Sequence, residues 1–248
     1  MADRELAFSG DSLTDEQLRS LERNREVEQL TIWSGPITND RLAPLSRLTW
    51  LTGLVLGEMP IDDGVFPHLK ELRELEYLNL AYTNIRGDFS ILSGIPLRDV
   101  RLEGCRRVGD ECAMALAQFP TLRQLEIHMT GVTDRGLESL SGLPLETLWL
   151  GPRVTDTGIR AIQQMKSLKH LDICAPGVTD ESVRSLRGLE TLEVLWLGHC
   201  SITDASLDVL CGFRSLRELG VGHTGLTAVG RARIRAALPD CRLVEEGA

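Results

Sequence analysis

The chain has 248 residues, 42% of them hydrophobic and 25% charged, with a mean hydropathy of −0.06. That composition excludes a disordered chain and leaves room for one domain or two. A formal charge of −9 argues against a generic nucleic-acid binder, and no apolar run reaches the roughly 18 residues of a membrane span.

Met1-Ala2-Asp3-Arg4-Glu5 lacks the basic and apolar regions of a signal peptide. The six cysteines (Cys105, Cys112, Cys174, Cys200, Cys211, Cys241) include no C-x-x-C pair, so a reduced, cytoplasmic chain is expected.

From the N-terminus onward an aliphatic residue recurs at Leu6, Leu30, Leu54, Leu78, Val100, Leu125, Leu148, Leu171, Leu195, Leu219 and Leu243, in steps of 22–25 residues. Those from Leu30 to Leu219 sit in an L-x-x-L-x-L pattern of aliphatic residues, as in Leu122, Leu125 and Ile127. The period-two alternation predicts a short strand with these side chains inward. Thr-Asp pairs such as Thr133-Asp134, Thr179-Asp180 and Thr203-Asp204 predict a helix N-cap followed by a first-turn carboxylate. Leu137 and Leu140 then give one apolar helix face. A lone unit cannot bury both of its faces, whereas stacked neighbours can. About ten units over residues 1–248 therefore predict one α/β solenoid domain, with parallel strands and right-handed crossovers. It should curve, with the sheet on the concave side, because strands pack more closely than helices.

In the first unit, Phe8-Ser9-Gly10-Asp11-Ser12-Leu13 resembles the nucleophile block of GDSL esterases. The Asp-x-x-His needed to activate Ser12 is absent, and Thr14-Asp15 keeps repeat register with Thr133-Asp134. The unit at Leu78 carries Arg86-Gly87-Asp88 in place of Thr-Asp. At Val100 the turn is one residue longer, at Cys105-Arg106-Arg107, and at Leu148 one shorter, at Gly151-Pro152-Arg153. Gly220, Gly222 and Gly225 spell a dinucleotide fingerprint, but the first two fall on outward repeat positions. His128, His170, His199 and His223 lie on the concave side, without the roughly four converging ligands that zinc wants. No metal or cofactor is expected.

This pattern resembles the leucine-rich repeat superfamily across nearly the whole chain. Cys105 and Cys200 at the ninth repeat position resemble its cysteine-containing branch, and the architecture is similar to ribonuclease inhibitors. The closing segment Leu238–Val244 resembles the last repeat of many bacterial members. The resemblance implies a non-enzymatic protein binder that uses its concave face. No F-box-like segment precedes the repeats, so it implies no ubiquitin-ligase role.

The outward strand positions carry seven acids over ten units (Glu5, Glu58, Asp99, Glu103, Glu126, Asp172, Glu218) and one base, Arg101. Such a face repels phosphate and steers a basic partner. Trp33, Trp149, Trp196, Tyr77 and Tyr82 share it, while Trp50 falls on a return segment suited to packing. Glu126, Trp149, Asp172 and Trp196 hold one position in four successive units. At a strand spacing of about 4.8 Å they should form an acid–aromatic row. His128, Gly151, Cys174, Gly198 and Gly222 beside it should leave a trough. Carboxylates flanking indole faces can hold a guanidinium, so the ligand is expected to contribute a cation. The candidate partner-binding residues are Glu126, Trp149, Asp172, Trp196, His128, His170, Tyr77 and Trp33. The partner expected is a basic protein or peptide, with neither nucleic acid nor membrane involved. The alternatives are rings that merely shield one another, an esterase at Ser12, and an assembly subunit that binds through its convex face or ends.

Overall fold

The computed structural model of the protein describes residues 4–245, so the outermost three residues at each end of the 1–248 span lie outside the described residues. Every recurring aliphatic position lies in a strand: β1 (Glu5–Ser9), β2 (Gln29–Trp33), β3 (Gly53–Gly57), β4 (Tyr77–Asn79), β5 (Asp99–Arg101), β6 (Gln124–Glu126), β7 (Thr147–Leu150), β8 (His170–Ile173), β9 (Val194–Trp196), β10 (Glu218–Gly220) and β11 (Arg242–Val244). These strands form one sheet in sequence order. All pairs are parallel, and the register sets Leu125 beside Leu148, then Leu171, Leu195 and Leu219. The expectation of about ten units becomes eleven strands, because Leu243, the end of the tenth step, itself forms β11.

Leu54, Leu78, Leu125, Leu148, Leu171, Leu195 and Leu219 are fully buried in a continuous apolar core. Leu6, Phe8 and Leu243 on the outermost strands are only partly buried. The returns change character along the chain. Before β5 they are short or of 3-10 type, as at Asn39–Arg47, which contains Pro44, and Phe89–Leu92. Phe66, Phe89 and Phe119 fill the space behind them, with ring centroids 5.0 and 6.4 Å apart. Beyond β5 the returns become α1 (Asp110–Leu116), α2 (Asp134–Leu140), α3 (Asp156–Ile162) and α4 (Asp180–Ser185).

Thr155, Thr179, Thr203 and Thr227 make the cap that the sequence predicts, whereas the Thr133 side chain caps no N–H and donates to Asp110 instead. The Thr-Asp pairs do more than cap. Each aspartate reaches forward to the next unit. Asp156 accepts from the Thr179 N–H and hydroxyl at 2.8 and 2.7 Å, and Asp180 does the same with Thr203. The ladder runs through Asp110–Thr133, Asp134–Thr155, Asp156–Thr179, Asp180–Thr203 and Asp204–Thr227.

After β2, β3, β4, β6, β9 and β10 the chain turns away through a left-handed residue with a side chain. Ser34, Glu58, Tyr82, Met129, His199 and His223 all have φ between 53° and 62°. That conformation costs a residue with a Cβ roughly 1–2 kcal/mol, and the repeat imposes it so that these side chains stand on the sheet's rim. Pro152 holds the equivalent place in the shortened turn, where its ring forbids positive φ.

Candidate interaction surface

Period-two alternation sends every second strand residue outward, and the parallel register lines these residues up across the sheet. The middle outward row reads Arg101, Glu126, Trp149, Asp172, Trp196 and Gly220 on β5 to β10. The expected order of acid and indole is present, with a guanidinium at one end and a glycine at the other.

Arg101 gives this row a cation of its own. Its guanidinium pairs with Asp99 at 3.1 Å and stands 5.3 Å from the Tyr77 ring centre and 6.0 Å from that of Trp149. His170 meets Trp149 from β8, with ring centres 5.1 Å apart. A cation was expected from a ligand, yet at Trp149 the chain already supplies one. The free indole of the row is Trp196. It lies over Gly220, where a Cβ would come within 2.9 Å of the ring. Trp33 covers Gly57 in the same way. These rings shield the glycine backbone of the next strand and do not shield one another. Trp33 stands on β2, four strand spacings or about 19 Å from Glu126, so it is not part of the cluster.

Burial changes the electrostatics that formal charges suggest. Glu126 is pushed up to about 7, mainly by withdrawal from solvent and next by Glu103. Burial also raises the Asp172 carboxyl, which His128 partly offsets, and lowers His170. Tyr82 donates to Glu103 at 2.5 Å, and its hydroxyl is pushed up to about 12 by that bond. Asp99 is paired with Arg101, and Glu218 with Arg242, a base that the eleventh strand adds to the face. Glu5, Glu58, Glu103, Glu126 and Asp172 form no ion pair among the described residues. The face is acidic, with less charge at its centre than the sequence count implies.

Beside the row, where a trough is expected, Gly151, Gly198 and Gly222 are buried and Cys174 is half-buried. His199 and His223 stack on the sheet's rim with ring centres 4.4 Å apart. Among the described residues, no group of three or more His, Cys, Asp or Glu is placed to hold a metal ion, and no helix is long and apolar enough to cross a membrane. The buried thiols serve the frame: Cys105 donates to the Leu80 carbonyl at 3.1 Å and Cys200 to that of Ile173 at 3.4 Å.

The two motifs of foreign appearance have structural roles. Ser12 donates its hydroxyl to the Ser9 carbonyl at 3.1 Å, and Thr14 opens the following helix in a capping box with Gln17. The helix after Gly220, Gly222 and Gly225 starts at Ala228 behind the Thr227 cap, so it does not open on those glycines. Sequence reasoning missed the placement of Arg101 and the Tyr82–Glu103 pair. The available signal was Arg101 as the lone base on an acidic face.

No protein-family profile matches the sequence, and no curated protein is significantly similar to it. Solved structures do resemble it. An internalin from Listeria monocytogenes superposes with a TM-score of 0.64 at 22% identity, over 97% of this chain and 79% of its own. Internalin C2 of the same organism gives 0.54 at 19% identity, over 94% and 84%. With eleven parallel strands in sequence order, the chain has the leucine-rich repeat fold, an α/β solenoid.

Proposed function

We propose that the chain is a single leucine-rich repeat domain over residues 1–248 that recognises a basic protein or peptide on its concave face and catalyses nothing. The observation that carries this reading is the in-register row of Glu126, Trp149, Asp172 and Trp196 on an uncovered sheet face, with five carboxylates lacking an ion pair among the described residues. Indoles beside carboxylates suit cationic side chains, and aromatic anchors dominate protein interfaces. Because Arg101 already stands by Trp149, the partner's cation goes to Trp196 and Asp172. The thiols are unpaired and suit a reducing, cytoplasmic setting. An inhibitor or immunity role against a basic enzyme is the concrete version, in the manner of a ribonuclease-inhibitor-like bacterial repeat protein.

The test captures partners from the native lysate on the wild-type protein, identifies them, and measures their affinity for variants. Trp196→Ala should weaken binding about 30-fold, with circular dichroism confirming the fold because the ring also covers Gly220. Asp172→Asn should act more mildly, and its effect should shrink as salt rises. If Trp149→Ala and Trp196→Ala both bind as the wild type does, the contact lies on the convex face or the ends.

A further inference from the structure

Two irregular turns flank a regular one on the rim beside the row. The unit at Val100 has one extra turn residue, which places Arg106, and the unit at Leu148 lacks one, which places Pro152 and Arg153. Between them stands Met129, left-handed at φ 53° and among the few large apolar side chains that are strongly exposed. Arg106, Met129, Thr130, Gly131, Pro152 and Arg153 line an open depression of about 310 Å³. Several arginines of this chain reach a carboxylate of a neighbouring repeat, as Arg47 does with Glu22 and Arg217 with Glu193. Arg106 and Arg153 are both exposed, and among the described residues neither forms an ion pair or donates a side-chain hydrogen bond. Two guanidiniums without a partner on one depression are both available to an oxyanion that enters it.

We infer that this depression is a carboxylate-holding subsite, taking an acidic side chain of the same protein partner whose cationic residues meet the concave row. This rests on the proposed function. Local charge selects the occupant. Glu103 lies three residues before Arg106 and joins an acidic face, so a polyanion or a dianionic phosphate meets more repulsion than a single carboxylate does. The exposed apolar surface of Met129 and Pro152 suits the methylene stem of a glutamate. The recognised epitope is therefore bipolar, basic across β7 to β9 and acidic at the turn edge.

The chain has five methionines, so the Met129 methyl can be followed in a ¹³C-methyl-labelled sample, assigned with Met129→Leu. The probes are N-acetyl-glutamate α-amide, its glutamine analogue and inorganic phosphate, each titrated at low ionic strength. The glutamate probe should shift the Met129 methyl in a saturable way. Arg106→Gln and Arg153→Gln should each weaken it about tenfold, and the double variant should abolish it. An unmoved methyl, an equal response to the glutamine analogue, saturation by phosphate alone, or an unchanged response in the double variant would each overturn the subsite. Trp196→Ala should leave this titration intact. Loss of partner binding in Trp196→Ala with a silent Met129 methyl removes the subsite alone. A responsive methyl with partner binding indifferent to both Trp substitutions removes the concave-row reading alone.

Discussion

Glu126 lies between Arg101 on β5 and Trp149 on β7, half withdrawn from water, with Glu103 as a like-charged neighbour. Its carboxyl is pushed from an ordinary 4.5 to about 7, so the folded state holds a proton that the unfolded chain releases. Its contribution to stability is therefore fully present below about 4.5 and is lost as pH rises through about 7. Solvent reaches the group, so the effect is discounted to about 1 kcal/mol. Glu126→Gln should equal the wild type in urea unfolding at pH 4 and exceed it at pH 8; equal midpoints at both values would refute the conflict at this residue. Much of this neighbourhood is legible in sequence. A constant step with period-two alternation dictates that Glu126, Trp149, Asp172 and Trp196 stand side by side. Spacing does not fix side-chain torsions, and so it could not show Arg101 folding back on Asp99 or Trp196 lying over Gly220.

At the scale of one repeat, strand, left-handed turn and helix are joined to their neighbours by the aspartate rung. Asp180 accepts from the Thr203 N–H at 2.8 Å, from its hydroxyl at 2.7 Å, and from the Ser206 hydroxyl. Burial alone would raise the Asp156 and Asp180 carboxyls, but these bonds outweigh it and hold both below the ordinary value. The stability they give is present above the ordinary carboxylate range and lost as pH falls below it. Asp180→Ala strands a backbone donor and two hydroxyls, and should cost about 2 kcal/mol in urea unfolding at pH 7. A loss below a few tenths would mean the rung carries no stability. Sequence spacing marks Thr-Asp as a helix start, yet the partner of the aspartate lies one repeat ahead, beyond a reading of any single unit. The trace that could have revealed it is the small residue two places after the aspartate: Gly136, Gly158, Ser182 and Ser206. A Cβ on Gly158 would stand 2.4 Å from the Asp134 carboxylate, and Ser182 and Ser206 donate their hydroxyls to the corresponding aspartates, Asp156 and Asp180.

Among the described residues, no strand pairs with any but its neighbours in sequence. The surface ion pairs obey the same rule, as in Arg98–Glu76, Lys169–Glu146 and Arg217–Glu193, and so do the aspartate rungs. Stability in such an array is a sum of repeat and nearest-interface contributions, so damage should stay local. Leu148 on β7 is fully buried near the middle of the sheet. Leu148→Ala removes its packing and leaves a cavity, at a cost of about 2–5 kcal/mol. In a globular core that loss would lower hydrogen-exchange protection everywhere. Here protection should fall mainly in β6, β7 and β8, while the amides of β2, β3 and β10 stay close to wild type. The urea transition should broaden as the halves on either side uncouple, giving a smaller apparent m-value. Uniform loss of protection over all strands, with an unbroadened transition, would show that the solenoid unfolds as one unit and that its repeats are coupled well beyond their immediate contacts.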